Sequence, residues 1–349
     1  MTRPALLFLM VLVAVLTLAG PPQVRADAVE DFYKGKLVRV VDGYPPGGGY
    51  GAYASLIVRH LGKHIPGHPT VIYQNMPGAG SLTLTNYLYN KAETDGTYIA
   101  AVSNSAAFLP LLGNSEARFE ADKFAWLPSP STETGLLVVW HTAGVKTIQE
   151  ATQKELFAGI SSQNGTSGFY GRILNDVLHT KLKLLVGYPQ MNDTLLAMEK
   201  GEVQAFPSAF WGSLKANKAD WVREKKLILL VQYGLKPNPE LADVPVARDL
   251  VKTEDDRQLL DAAMASLQIA RPYMLPPGVP AERVAAVRKA FLDTFADPDF
   301  KAEAARAALD LDAQPKTGED VERIIAETYR APQRVVDRLR KLFEVESGK

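Results

Sequence analysis

Pro45-Pro46-Gly47-Gly48-Gly49-Tyr50-Gly51 sets three consecutive glycines between an extended, valine-rich run and an amphipathic helical one. A second turn of the same kind, Ser161-Ser162-Gln163-Asn164-Gly165-Thr166-Ser167, lies in the other half of the chain, and neither stretch holds a charged residue. The first turn of a helix presents unpaired backbone N–H groups and a partial positive charge, so a bare glycine or serine turn at that point accepts a small oxyanion without Lys or Arg. Phosphate fits less well than carboxylate. A P-loop needs Lys-Ser/Thr after its last glycine, and a dinucleotide loop needs G-x-G-x-x-G; residues 47–51 offer neither. One glycine turn alone is also what a tight strand-to-helix connection requires. Two of them, one in each half, point to a cleft.

Other polar residues follow strand-like runs, where open α/β sheets bind ligands, outside the carboxyl ends of their strands. The expected site is Gly48, Gly49, Tyr50 and Gly51 from one side and Ser162, Gly165, Thr166 and Ser167 from the other. Asn104, Gln190 and Ser208 would hold the distal polar end, partly through water, with Tyr188 also in the site. Tyr50, Phe169, Tyr188, Phe210 and Trp211 could stack on an aromatic acid, but are also ordinary core residues.

Catalytic and metal chemistry fare worse. His60 and His64 share a helical face, but Pro66-Gly67 intervenes before His68 and no acidic ligand lies within the run, so a solvated or core-edge face is expected. No serine sits in G-x-S-x-G, and His141 and His179 have no evident acid–base partner. Asp193, Glu199 and Glu202 suit a helix and its terminal turn better than paired catalytic carboxylates. Neither a metal nor a cofactor is implied.

The elements that position these residues alternate between strand and helix, the sign of α/β architecture with mainly parallel sheets. Strands are predicted at 37–44, 71–75, 98–103, 136–141, 157–161, 182–188, 203–207, 227–233 and 267–274. Tyr53, Leu56, Ile57, His60 and Leu61 form the buried stripe of the first helix after them. Beyond Pro280 the chain is mostly helical; Thr317-Gly318-Glu319-Asp320 opens the last helix pair as a capping box, and Pro332 splits it.

Residues 1–26 read as a secretory signal peptide: Arg3, an apolar run Ala5–Leu18 too short to span a bilayer, Pro21-Pro22, then Val24-Arg25-Ala26. Its removal leaves 323 of 349 residues, more than one core usually serves, with 37 basic against 39 acidic side chains. Nothing basic suggests nucleic acid or an anionic membrane as partner. With no cysteine, the chain has neither disulfides nor thiol chemistry.

Several stretches resemble the periplasmic substrate-binding proteins of tripartite tricarboxylate transporters, the Bug or TctC-like family. They are Phe32-Tyr33-Lys34-Gly35-Lys36, Pro46-Gly47-Gly48-Gly49-Tyr50, Gln74-Asn75-Met76-Pro77-Gly78-Ala79-Gly80-Ser81 and Asp95-Gly96-Thr97. Gly187-Tyr188, Ala197-Met198-Glu199-Lys200-Gly201-Glu202-Val203, Arg271-Pro272-Tyr273 and Pro276-Pro277-Gly278-Val279-Pro280 follow in order. The resemblance implies a class II periplasmic binding protein fold, two doubly wound lobes closing on a small carboxylate (a di- or tricarboxylate, or an aromatic carboxylate), with 27–130 plus 241–349 in one lobe and 131–240 in the other. It further implies delivery to membrane permease subunits, a periplasmic location, a monomer and no enzymatic activity. Two departures stand out: Gly51 where the family usually has Asp, and Gln190 where it usually has Gly. An exported hydrolase on a similar frame, or an accessory to a membrane sensor, stays open at this stage.

Overall fold

The computed structural model describes residues 23–343. Of the predicted signal peptide, all but Gln23–Ala26 lies outside the described residues.

Helix α1 (Gln23–Tyr33) leads into β1 (Leu37–Asp42), α2 (Gly49–Leu61), β2 (Thr70–Asn75), α3 (Leu82–Asn90), β3 (Tyr98–Ala101) and β4 (Ala125–Trp126). The chain then crosses to β5 (Gly135–Trp140), α4 (Ile148–Ala151), β6 (Leu156–Ile160), α5 (Thr166–Val177), β7 (Leu182–Val186), α6 (Met191–Lys200), β8 (Ala205–Phe210), α7 (Trp211–Arg223) and β9 (Leu227–Tyr233). Two further helices, α8 (Ala247–Leu250) and α9 (Glu254–Met264), precede the return through β10 (Tyr273–Leu275) to α10 (Ala281–Ala296), α11 (Pro298–Arg306), α12 (Gly318–Tyr329) and α13 (Gln333–Phe343).

Two five-stranded sheets result, ordered β2-β1-β3-β10-β4 and β7-β6-β8-β5-β9. Each is mixed rather than mainly parallel. Strands β1, β2 and β3 run parallel, as do β6, β7 and β8, while β10 and β5 enter antiparallel to their neighbours. These are the strands by which the chain comes into a sheet from the other lobe, so neither has a preceding crossover helix to force parallel pairing.

The apolar run 267–274 is mostly not a strand. Ala265–Ile269 is a 3-10 turn, and only Tyr273–Leu275 pairs in the sheet. An apolar run lying at a lobe crossing is buried from all sides and carries no periodicity that would separate turn from strand.

The stripe expected on α2 is buried as a set, with Tyr53, Leu56, Ile57 and Leu61 in the first core and His60 at its edge, where Nε2 pairs with Glu303 Oε2 at 2.7 Å. Thr317 caps α12 as the sequence suggests, its Oγ1 accepting from Asp320 N at 3.1 Å while Thr317 N donates to Asp320 Oδ2 at 3.1 Å. Pro332 stands between α12 and α13, and the break redirects the chain. Helix α12 contributes Val321, Ile324 and Ile325 to the first lobe, whereas α13 places Val335, Leu339 and Phe343 in a cluster with Leu137, Ile173 and Leu259 of the second. Arg338 ties α13 there through ion pairs of 2.6 Å to both Asp176 and Asp256.

Helices α8 and α9 join that same cluster through Ala247, Leu259, Leu260 and Ala263. Segments 241–264 and 333–343 thus pack on the second sheet, while the sequence expectation puts them in the first lobe. Two crossing segments run side by side between the lobes: Glu133 N donates to Leu267 O at 3.0 Å and Ala270 N to Ser131 O at 3.3 Å. The α12–α13 junction is a third crossing.

Candidate functional site: a cleft between two helix starts

Helices α2 and α5 begin opposite one another across the interface of the lobes. Gly48 and Gly165, their N-caps, are extended and offer no capping side chain, so the first-turn N–H groups of both helices are left for another partner. Between them lies a cavity of about 80 Å³. That is several times the ~10–15 Å³ needed by one water, the scale of a compact small molecule.

Gly48, Gly49, Tyr50, Thr166, Ser167, Tyr188, Gln190 and Ser208 line this cavity, together with Tyr44, Ser161, Pro189, Met191, Phe206, Phe210, Ser213 and Arg271. Four expected residues lie elsewhere. Asn104 is fully buried and committed: its Oδ1 accepts from Thr166 Oγ1 at 3.0 Å and Tyr50 OH at 3.3 Å, and its Nδ2 donates to Ser266 O at 3.3 Å. It fastens the lobes to each other. Ser162 Oγ accepts from Gly165 N at 2.9 Å, tightening its own loop. Gly165 packs against Gly80, close enough that a Cβ on Gly80 would sit 2.6 Å from Gly165 N.

Gly51 faces the other side of α2. A Cβ there would come within 2.8 Å of Tyr73 OH and 3.2 Å of Asp42 Oδ2, so no larger residue fits without displacing that pair.

Gln190 closes the mouth from the second lobe. Its Nε2 donates to Pro45 O at 3.0 Å and Pro46 O at 2.7 Å, and its Oε1 lies against Gly48. Ser103 Oγ and Thr166 Oγ1 pair at 2.8 Å deeper in. The lobes are closed on each other.

Contrary to the expectation of a site without basic side chains, Arg271 forms part of the wall. The sequence did carry a signal for it: a lone arginine inside an apolar run, which the fold can bury only against a partner. That partner is Glu133, on the adjacent crossing segment, bonded to Arg271 Nη2 at 2.8 Å with both side chains almost fully buried. Nη2 also reaches Ser213 Oγ at 3.1 Å and Nη1 donates to Ala270 O at 3.0 Å, leaving Nε without a partner. The rings of Tyr50, Tyr53 and Phe210 surround the guanidinium at 4.8–5.2 Å.

Tyr44 supplies a second uncommitted donor. Its ring stacks on Tyr50 with centroids 4.8 Å apart, it is 7% exposed, and its hydroxyl makes no hydrogen bond. The Ser103 and Thr166 hydroxyls neighbour that group without reaching bonding geometry. Burial pushes the Tyr44 phenol well up, so the group stays a neutral donor.

Asp42, at the end of β1, fixes this tyrosine from behind. Its Oδ1 accepts from Tyr44 N at 3.1 Å and its Oδ2 from Tyr73 OH at 2.9 Å, while Asn75 Nδ2 donates to Tyr44 O and to Tyr73 OH at 2.8 Å each. Burial pushes the Asp42 carboxyl from its usual 3.8 up to about 7, against the downward pull of the Tyr73 and Tyr44 bonds. Between pH 4 and 7 the unfolded chain has then lost this proton while the folded one keeps it, so stability falls as pH rises through that window. Asp42→Asn is expected to remove this contribution. Urea unfolding at pH 5 and pH 7.5 checks it: the variant should gain about 2 kcal/mol on the wild type between the two, and parallel curves would mean that Asp42 is ionised throughout.

Two α/β lobes, each centred on a mixed five-stranded sheet and closing on a cleft, make up the two-lobed periplasmic binding protein fold. Among solved structures the chain is similar to the periplasmic binding protein BugD, at 15% identity over 88% of this chain and 97% of that one, with a TM-score of 0.70. It is similar also to MatC from Rhodopseudomonas palustris with bound malate (18%, 88% and 99%, TM-score 0.67) and to a second R. palustris protein with adipate (15%, 87% and 97%, TM-score 0.66). At these identities the likeness is one of fold. No protein-family model and no curated protein sequence matches the chain. Among the described residues, no helix is long and apolar enough to cross a membrane.

Proposed function

We propose that the chain is an exported solute-binding receptor of the Bug or TctC-like kind, which captures a small organic carboxylate between its lobes and hands it to a tripartite tricarboxylate-type permease. One observation carries the reading. The starts of α2 and α5, whose N-caps Gly48 and Gly165 carry no capping side chain, meet across one cavity lined by Gly48, Gly49, Tyr50, Thr166 and Ser167. An acid group placed there accepts from those first-turn amides, and the positive end of each helix favours its charge. Bound malate and adipate in two proteins of the same fold support the ligand class, and the predicted signal peptide supports export.

Capture works without bond chemistry. The acid favours the closed form because only there do the two helix starts face it together, and this differential affinity drives hinge closure. A thermal-shift screen against mono-, di- and tricarboxylates, amino acids and neutral sugars tests the reading. An acid at a hundredfold excess over its dissociation constant should stabilise the protein by about 2.7 kcal/mol. Shifts from neutral compounds alone would overturn the carboxylate assignment.

A further inference from the structure

We infer that Gln190 is a latch across the mouth of the cleft, and that it selects acids short enough to lie wholly behind it. This rests on the solute-binding reading above and adds a limit of length to its ligand class.

The cavity has a buried floor, to which Phe206, Ser208, Phe210, Ser213 and Arg271 contribute. Exposed residues stand at its rim: Pro46 and Gly47 on the first lobe, Pro189 on the second. Gln190, half-buried, joins these two lips through Nε2, which donates to Pro45 O at 3.0 Å and Pro46 O at 2.7 Å. Both neighbours are carbonyl oxygens and can only accept, so the amide nitrogen has to face them. The rest of the side chain lies on bare backbone. A Cβ on Gly48 would stand 2.9 Å from Gln190 Oε1 and 3.4 Å from its Cδ. Among the described residues, no other hydrogen bond joins segment 187–200 to the first lobe. One side chain holds this lip.

Gly48 is also the N-cap of α2, so an acid group seated at that helix start has the latch directly beside it. A guest contained in the cavity leaves the two bonds intact. A longer guest must pass between the lips, and Nε2 then no longer reaches both carbonyls. Two neutral amide hydrogen bonds favour the closed mouth by about five- to thirty-fold. A protruding guest forfeits that factor. Because the bonds run from protein to protein, they also weight the free receptor toward closure.

Gln190→Met tests this, since it keeps the length of the side chain and removes both donors. The backbone N–H of residue 190 still has Asp193 Oδ2, now at 3.1 Å, as its partner, so the start of α6 is retained. Isothermal titration of the mature wild type and variant would use malonate, succinate, adipate and suberate, together with acetate, butyrate and octanoate. In the variant the long acids should gain about five- to thirty-fold in affinity relative to the short ones. An unchanged ratio would overturn this inference and leave the receptor reading intact, whereas failure of every acid to bind the wild type would overturn both. Amide exchange of the free protein is a readout that contact with an acid cannot move. Peptides spanning 44–52 and 162–168, the two helix starts, should exchange about five- to thirty-fold faster in the variant, with the core strands unaffected. Equal exchange in the two proteins would show that the Gln190 amide holds nothing closed.

Discussion

Arg271→Met is expected to lower the unfolding free energy by about 3–5 kcal/mol, because it strands Glu133 as an unpaired buried carboxylate. Pairing it with Glu133→Gln should restore most of that loss, since a neutral, well-packed substitute for a buried ion pair is often tolerated. Acid binding should not return with stability. The double variant lacks the charged donor, and a hydrogen bond to a charged group contributes about 1.5–3 kcal/mol, or some ten- to hundred-fold in affinity. Urea unfolding and calorimetry on both variants separate the two roles. A double variant that binds acids like the wild type would remove Arg271 from the site.

Gly80→Ala should affect closure more than folding. Gly80 has φ of 66°, a left-handed conformation that costs a residue with a Cβ roughly 1–2 kcal/mol. Its larger effect lies between the lobes, where the new methyl would stand 2.6 Å from Gly165 N. Backbone cannot swing aside as a side chain can, so the lobes must stay apart. Apparent affinity falls with the fraction of closed molecules, and a loss of about ten- to hundred-fold is expected, with small-angle scattering showing a more open form. Wild-type affinity in Gly80→Ala would mean that the acid binds without these two glycines meeting.

How far the sequence revealed this site depended on whether a feature is local. Glycine and serine turns after strands are legible, because a helix start with no capping side chain advertises its amides in the one-dimensional pattern. Gly48, Gly49, Tyr50, Thr166 and Ser167 are of that kind, and the structure gathers them around one cavity. Asn104 has the right chemistry in the right turn, but its bonds go to Thr166, Tyr50 and Ser266, partners remote in sequence. Whether a polar group is free or spent is a tertiary property. Arg271 was hidden differently, in a run whose apolar neighbours read as a strand, and its partner Glu133 is 138 residues away. The lobe boundaries were obscured by helices α9 and α13, whose amphipathic faces say that they pack and not on which sheet.

Helix α13 has one more effect. By returning to the second lobe it tethers the halves a third time, beside the two crossing segments already described, and each added tether removes relative freedom. A smaller swing leaves less motional entropy to be surrendered when a guest arrives. Ordering costs of that sort are what most weaken the grip on small molecules. A terminal helix that lines no part of the cavity, but whose Phe343 stacks on Phe169 of α5, therefore helps a handful of contacts suffice.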